Sequence, residues 1–289
     1  MFISAKVQNA EGDELELMTQ EALAKFVLSN VQGLNPPPAT LNMNNLAGVD
    51  GARLNSAFLN TRNLVITFLL RGDQESSRQE LYHYFRTKSL CRFYFKNTNR
   101  DVFIDGYVET IEDDMFQRQQ EMQVSVICPD PWLQDVVEHT VEIQNAQAHF
   151  TFPFAINLDD PVPVGTYEQG RVTHLQNYGD TDLGIQMFIG CDSTLFKPKI
   201  MNMATGEYIN ITFTPQVGDV LYINTDPLDT KALYIRAGVQ YNLWPYIGDG
   251  ATLFQLHPGD NPIGYQANGG SNDDDGRIIF RYRQKYRGV

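Results

Sequence analysis

The sequence predicts a mainly β protein of two folding units, with one clean helix in the first. Short apolar runs alternating with polar residues recur along the whole chain. In the second half, Gly, Asp, Asn and Pro clusters separate them at roughly the 8–12 residue spacing of a β-sandwich. Two prolines in Cys128-Pro129-Asp130-Pro131-Trp132 break the last strand of the first half, placing the units at residues 1–135 and 136–289. At 289 residues the chain suits two cores of ordinary size.

The first half opens with a hairpin, Phe2–Val7 and Glu14–Met18 around the polar, Gly-containing Asn9–Asp13. Thr19–Asn30 is ambiguous. Thr19 can cap a helix bearing Ala22, Leu23, Phe26 and Val27, yet residues 25–31 also read as a strand, because a short apolar run does not fix its own period. Asn63–Arg71 alternates, with Leu64, Ile66, Phe68 and Leu70 on one face. Gly72-Asp73 stops it, and Gln74–Lys88 is expected to be helical. Ser77 and Glu80 have capping-box spacing, and Leu81, Tyr84, Phe85 and Lys88 share a face. Strands follow at Cys91–Lys96, Asp101–Glu109 and Phe116–Cys128, the last aligning Met122, Val124 and Val126.

Residues 34–60 fit no core element. Pro36, Pro37 and Pro38 fix φ and remove donors, so an extended surface segment is expected. Its apolar residues, among them Leu41, Met43, Leu46 and Phe58, exceed what a solvated loop needs. The reading is an arm lying on a neighbouring subunit, with Pro36, Pro37, Leu41 and Leu46 as contacts. The hairpin Thr110–Gln123, with Met115, Phe116 and Arg118 near its tip, is the second expected contact.

In the second half strands are expected at Thr140–Ile143, Phe150–Phe154, Val172–Gln176, Ile185–Ile189, Tyr208–Phe213, Val220–Asn224, Ala232–Ile235, Leu253–Leu256 and Arg277–Tyr286. Asn268–Gly276 is read as the turn before the last.

Composition narrows the function classes. Hydrophobic residues make up 42% and charged residues 20%, a globular balance. Net charge is −13, with 12 basic and 19 acidic residues in 1–138 and 10 and 16 in 139–289. Acidity so evenly spread repels phosphate backbones and argues against nucleic-acid binding. No apolar run is long enough for a membrane helix, and the N-terminus lacks the pattern of a signal peptide, so cytosolic synthesis is expected. Cys91, Cys128 and Cys191 are an odd number, far apart, and read as buried thiols in a reducing compartment.

No constellation for catalysis emerges. The five histidines lie in separate segments without metal-ligand spacing, and no GxSxG elbow, phosphate loop or GxGxxG occurs. Asp273-Asp274-Asp275-Gly276 lacks a calcium loop's register, since Tyr282 stands where the final Glu belongs. The expectation is a non-enzyme with no cofactor and no metal. Glu112-Asp113-Asp114 reads as a solvated acidic face, the alternative being ion pairs with a neighbour. Trp244-Pro245-Tyr246 has two readings, core residues of a strand or a sugar platform. Arg281, Arg283 and Lys285 form a basic stripe opposite Phe280, Tyr282 and Tyr286. In an acidic chain such a stripe fits an acidic protein surface, so Trp244, Tyr246, Arg281 and Arg283 are candidate partner contacts.

Several of these segments together resemble the distal tail protein family of long-tailed phages, the siphovirus tail component family. They include Gly48-Val49-Asp50-Gly51, Arg62–Ile66, Gly72-Asp73 entering the helix, Arg92–Phe95, Gly106–Glu109 and Cys128–Trp132. They continue through Asn177–Asp180, Thr205-Gly206-Glu207, Gly218-Asp219, Leu256–Asn261 and the Arg-rich C-terminal strand. The resemblance covers nearly the whole chain in order. It implies a tail-tube-like β-sandwich with one helix that closes into a homo-hexameric ring, then a galectin-like or jelly-roll sandwich. It also implies a place in the virion, at the tail tip or baseplate, with DNA passing through the lumen. The implied partners are the tail tube protein, the tail-tip protein and receptor-binding proteins, and residues 25–31 tip towards strand. A carbohydrate-binding module touching the host wall directly is the alternative, and a wall hydrolase a third.

Overall fold

The computed structural model describes residues 2–45, 47–48, 50–143, 171–191, 197–266 and 276–289. Two compact units emerge, one of residues 1–137 with 285–289, the other of residues 138–284.

The first unit begins with β1 (Phe2–Gln8) and β2 (Glu14–Glu16). Their turn is held by Asn9, whose Oδ1 accepts from the backbone N–H groups of Glu11 and Asp13. The ambiguous segment is both things at once. Helix α1 (Gln20–Lys25), capped by the Thr19 hydroxyl, runs directly into β3 (Phe26–Gln32). The expected arm is a β-hairpin, β4 (Ala39–Asn45) and β5 (Ala52–Leu59), in a sheet of its own. Then come β6 (Arg62–Leu70), α2 (Gln74–Tyr84), β7 (Leu90–Asn97), β8 (Asp101–Asp113), β9 (Glu121–Cys128) and β10 (Leu133–Asp135).

The main sheet is antiparallel in the order β2-β1-β7-β8-β9-β6-β3. In β6 every second residue is buried, Leu64, Ile66, Phe68 and Leu70 among them, and Met122, Val124 and Val126 of β9 face the same core. Helix α2 covers that core with Leu81, and Phe85 just beyond it packs against Phe68 and Phe93. These aromatic contacts, with Phe26 edge-on to Phe68, add to area burial worth ~1.5–3 kcal/mol per large side chain. Ser77 and Glu80 form no capping box. Asp73 is the N-cap, and the Ser77 hydroxyl donates back to the Arg71 carbonyl. The helix stops at Tyr84, short of Lys88, which takes a left-handed φ of 69°.

The second unit is a sandwich of two antiparallel sheets. Its strands are β11 (His139–Ile143), β12 (Arg171–Asn177), β13 (Gln186–Cys191), β14 (Lys199–Asn202), β15 (Tyr208–Asn210) and β16 (Val220–Asn224). They continue with β17 (Lys231–Arg236), β18 (Val239–Asn242), β19 (Gly259–Gln266) and β20 (Gly276–Tyr282). One sheet runs β11-β20-β13-β16-β17-β18, the other β12-β19-β14-β15. Met187, Ile189, Leu221, Ile223 and Phe280 of the first meet Leu175, Ile200, Ile209 and Ile263 of the second in one core.

Some expected elements differ. Leu253–Leu256 is no strand but a single bridge from Leu256 to Leu183. The segment 116–120 is turn, and β9 begins only at Glu121. The last strand is split: β20 ends at Tyr282, and β21 (Lys285–Tyr286) pairs with β10 in the first unit. Strands β10, β14, β18 and β19 were not anticipated, and β10 returns the chain to the first sheet beside β8. The expected strand Phe150–Phe154, and residues 268–275 of the expected turn, lie outside the described residues.

Several segments that carry the family resemblance are turns fixed by buried side chains. Asn177 donates to the carbonyls of Thr181 and Leu256, and Asn261 accepts from the His257 N–H while donating to Gly259. A Cβ on Gly106 would lie 2.6 Å from Val126 and 2.7 Å from the Cys128 sulfur, so only glycine lets β8 and β9 lie that close.

Candidate interaction surfaces

The β4–β5 hairpin presents one apolar face. Ala39 stands opposite Leu59, Leu41 opposite Ala57 and, past a bulge, Met43 opposite Leu54. The other face carries Asn42, whose amide donates to the Ser56 hydroxyl, together with Thr40, Arg53 and the exposed Phe58. Leu41, Met43, Leu54 and Phe58 are each more than half exposed. A two-stranded sheet with an uncovered apolar face is marginal by itself in water. Of the candidates here, Leu41 is on that face. Pro37 is half-buried and Pro36 exposed, and Pro36 packs close to Gly288 of the same unit. Leu46 lies outside the described residues.

The β8–β9 hairpin ends in the turn Asp114–Gln120, where Phe116 is fully exposed (104%), and Met115 and Arg118 are exposed beside it. Its base is fixed: Asp113 accepts from Tyr82 of α2 and pairs with Arg78 at 3.2 Å. Asp113 is therefore an internal ion-pair partner, not part of a solvated acidic face.

In the second unit Trp244-Pro245-Tyr246 forms a 3₁₀ turn, not a strand, because Pro245 presets a helical φ at its start. Both aromatics are exposed, at 45% and 38%, which overturns the core reading. Tyr246 belongs to an aromatic group, 4.8 Å from Phe213, which lies 5.2 Å from Tyr234, itself stacked on the exposed Tyr241.

The basic stripe does not survive folding. Arg281 lies over the Phe188 ring at 5.0 Å, Arg283 pairs with Glu138 at 3.4 Å, and Lys285 is buried in the first unit against Asp130.

The remaining reactive side chains are buried or paired with neighbours. All three cysteines are buried, and burial pushes the thiols of Cys91 and Cys128 up to about 11 and about 12, the opposite of an activated nucleophile. Glu11, Asp13 and His83 bring ligand atoms within 4.8 Å of one another, but all three are exposed, Arg86 pairs with Glu11, and His83 lies 3.4 Å from Asp13.

Sequence reasoning missed Arg62. It is 1% exposed, and its guanidinium donates to four backbone carbonyls, those of Gly33, Asn35, Pro131 and Arg287. Gly33 must be glycine there: its φ is +91°, and a Cβ would sit 2.1 Å from the Asn63 carbonyl oxygen.

A mainly β, two-unit fold of this kind is found in phage tail hub and baseplate proteins. No protein-family model matches the chain, and no curated protein matches it. Among solved structures the chain is similar in fold to the Dit hub protein of phage SPP1, at 12% identity and a TM-score of 0.66, over 96% of this chain and 98% of that one. It is also similar to a chain of the phage P2 baseplate in its activated conformation, at 12% identity and a TM-score of 0.53, over 99% of both. The same likeness holds for that baseplate with strontium.

Proposed function

We propose that this chain is a structural tail protein of a bacteriophage, a hub that closes into a hexameric ring at the distal end of the tail tube and lies in the virion at the tail tip or baseplate. The observation that carries the reading is the end-to-end likeness of fold to the SPP1 hub protein, 96% of one chain on 98% of the other. Two surface features support it. The β4–β5 hairpin and the Phe116 turn expose apolar side chains that a neighbouring copy would cover. A ring needs head-to-tail contacts between unlike patches, and projecting hairpins supply one half of such contacts.

The ring would join the tail tube protein to the tail-tip protein and hold receptor-binding proteins at its rim. A net charge of −13 suits a lumen that must let DNA pass without gripping it. The role calls for no catalysis and no cofactor.

Light scattering during size-exclusion chromatography, with negative-stain images, tests the proposal. The expected species has six times the 32.8 kDa chain mass and forms rings with an open centre. A compact monomer at every concentration would end the ring reading.

A further inference from the structure

Two exposed patches of the first unit leave opposite ends of one strand ladder. Where β6 pairs with β9, Arg62 stands opposite Cys128 and Leu69 opposite Glu121. The β4–β5 hairpin leads into β6 at its Arg62 end, and the Asp114–Gln120 turn leads into β9 at its Glu121 end. Strand rise separates those ends by about 24 Å. Phe116 in the turn is fully exposed, so nothing in its own chain covers it.

The turn is a preformed knob. The Gln120 amide donates to the Met115 carbonyl at 3.0 Å, and the Gln74 amide of α2 donates to the Arg118 carbonyl at 3.3 Å. The Asp114 and Gln117 N–H groups close it on the Glu121 and Asp114 carbonyls. The hairpin is braced at its base: the Thr40 hydroxyl donates to Asn60 Oδ1 at 2.8 Å, and the Asn60 N–H to the Pro38 carbonyl at 3.0 Å. Segments held this way lose little freedom on docking.

Charge makes the two patches complementary. Beside the knob Glu112, Asp114 and Glu121 are exposed, and among the described residues none of the three has an ion pair. Arg118 is the one base of the turn. In the two hairpin strands Arg53 is the single charged side chain, exposed and also without an ion pair among the described residues. At the margin of a two-stranded ribbon its long stem can reach a partner lying on the apolar face. An aromatic tip ringed by carboxylates fits an apolar face edged by a cation.

We infer that the Phe116 turn of one copy seats on the Leu41, Met43 and Leu54 face of the next, with Arg53 of that next copy meeting Asp114 and Glu121. The inference rests on the ring reading above and names its contact. Knob and hairpin face are unlike patches, so each copy gives one and receives the other, the head-to-tail arrangement from which a ring closes.

A cysteine pair introduced into the full chain tests the contact. Ala57 stands opposite Leu41 on the apolar face, Met115 adjoins Phe116, both are exposed, and the three native thiols are buried. Treated with a short bismaleimide, the double variant Ala57→Cys/Met115→Cys is expected to give a covalent ladder reaching six copies, and each single variant none. Arg53→Glu should raise the concentration at which the oligomer dissociates at least tenfold, and adding Glu121→Arg should recover most of that loss. A ring of full mass without a ladder, a ladder from either single variant, or an oligomer indifferent to Arg53→Glu would overturn the contact while leaving the ring standing. A monomer at every concentration would overturn both.

Discussion

The guanidinium of Arg62 donates to the backbone carbonyl of Arg287 over 2.7 Å, joining residues 225 positions apart. With its bonds to Gly33, Asn35 and Pro131, one side chain ties the start of β6 to three other stretches of the first unit. Replacing it with Met leaves four carbonyls without their donor. The expected loss is about 3–5 kcal/mol, lowering the melting temperature of the first unit by about 10 °C. Calorimetry of Arg62→Met checks this, and a loss under about 1 kcal/mol would contradict it.

The apolar hairpin face predicts a separation of stability from assembly. Leu41→Glu with Leu54→Glu should leave chain stability within about 0.5 kcal/mol, because both side chains are exposed in the single chain. The same pair should abolish the proposed ring. Phe116→Ser, at the β8–β9 tip, is expected to act likewise. Light scattering reads the outcome, and an unchanged particle mass in both variants removes these hairpins from the interface.

The thiols make a chemical prediction. Burial holds Cys91 and Cys128 protonated far above the ordinary thiol range, and Cys191 is 2% exposed. The folded protein should therefore react negligibly with a disulfide reagent at pH 8, whereas in guanidinium all three cysteines should titrate. Because the folded pKa values lie above the unfolded ones, their contribution to stability is complete below about pH 9 and is lost as pH climbs towards 11 and 12. Denaturation midpoints measured from pH 8 to 11 should fall with rising pH.

At the acid end Asp219 acts with the opposite sign. It is 2% exposed, takes two bonds from the Arg236 guanidinium at 2.9 and 2.6 Å, and accepts from the Gln216 N–H. The Arg236 pair holds its carboxyl below the ordinary carboxylate range. Its contribution is present above the unfolded pKa of about 3.9 and disappears as pH falls through the lower folded value. Asp219→Asn should destabilise the second unit by about 2 kcal/mol at neutral pH and flatten its stability loss below pH 4.

What the sequence disclosed depended on burial. Strand β6 was legible because one of its faces is wholly interior, which imposes strict alternation. The β4–β5 hairpin was read as an extended arm because most of its residues are exposed in the single chain and the bulge at Asn42–Met43 breaks the period. Strand β19 was hidden by Pro262. That residue sits just past the β14 ladder, which pairs only with Ile263–Gln266, so its missing N–H is tolerated. The core reading of Trp244 fails because Pro245 permits a 3₁₀ turn as readily as it breaks a strand. Arg62 left no local trace: its partners are backbone carbonyls brought together only by the fold.

Since β21 and Arg287 belong to the first unit, the second unit is inserted between two segments of its host, tethered at both ends. A ribosome must therefore deliver position 287 before Arg62 gains its last carbonyl, by which time every residue of the inserted sandwich has already left the exit tunnel or entered it. Completion of the first unit comes last in synthesis, and chains truncated before Arg287 would leave the Arg62 guanidinium without one of its four carbonyls.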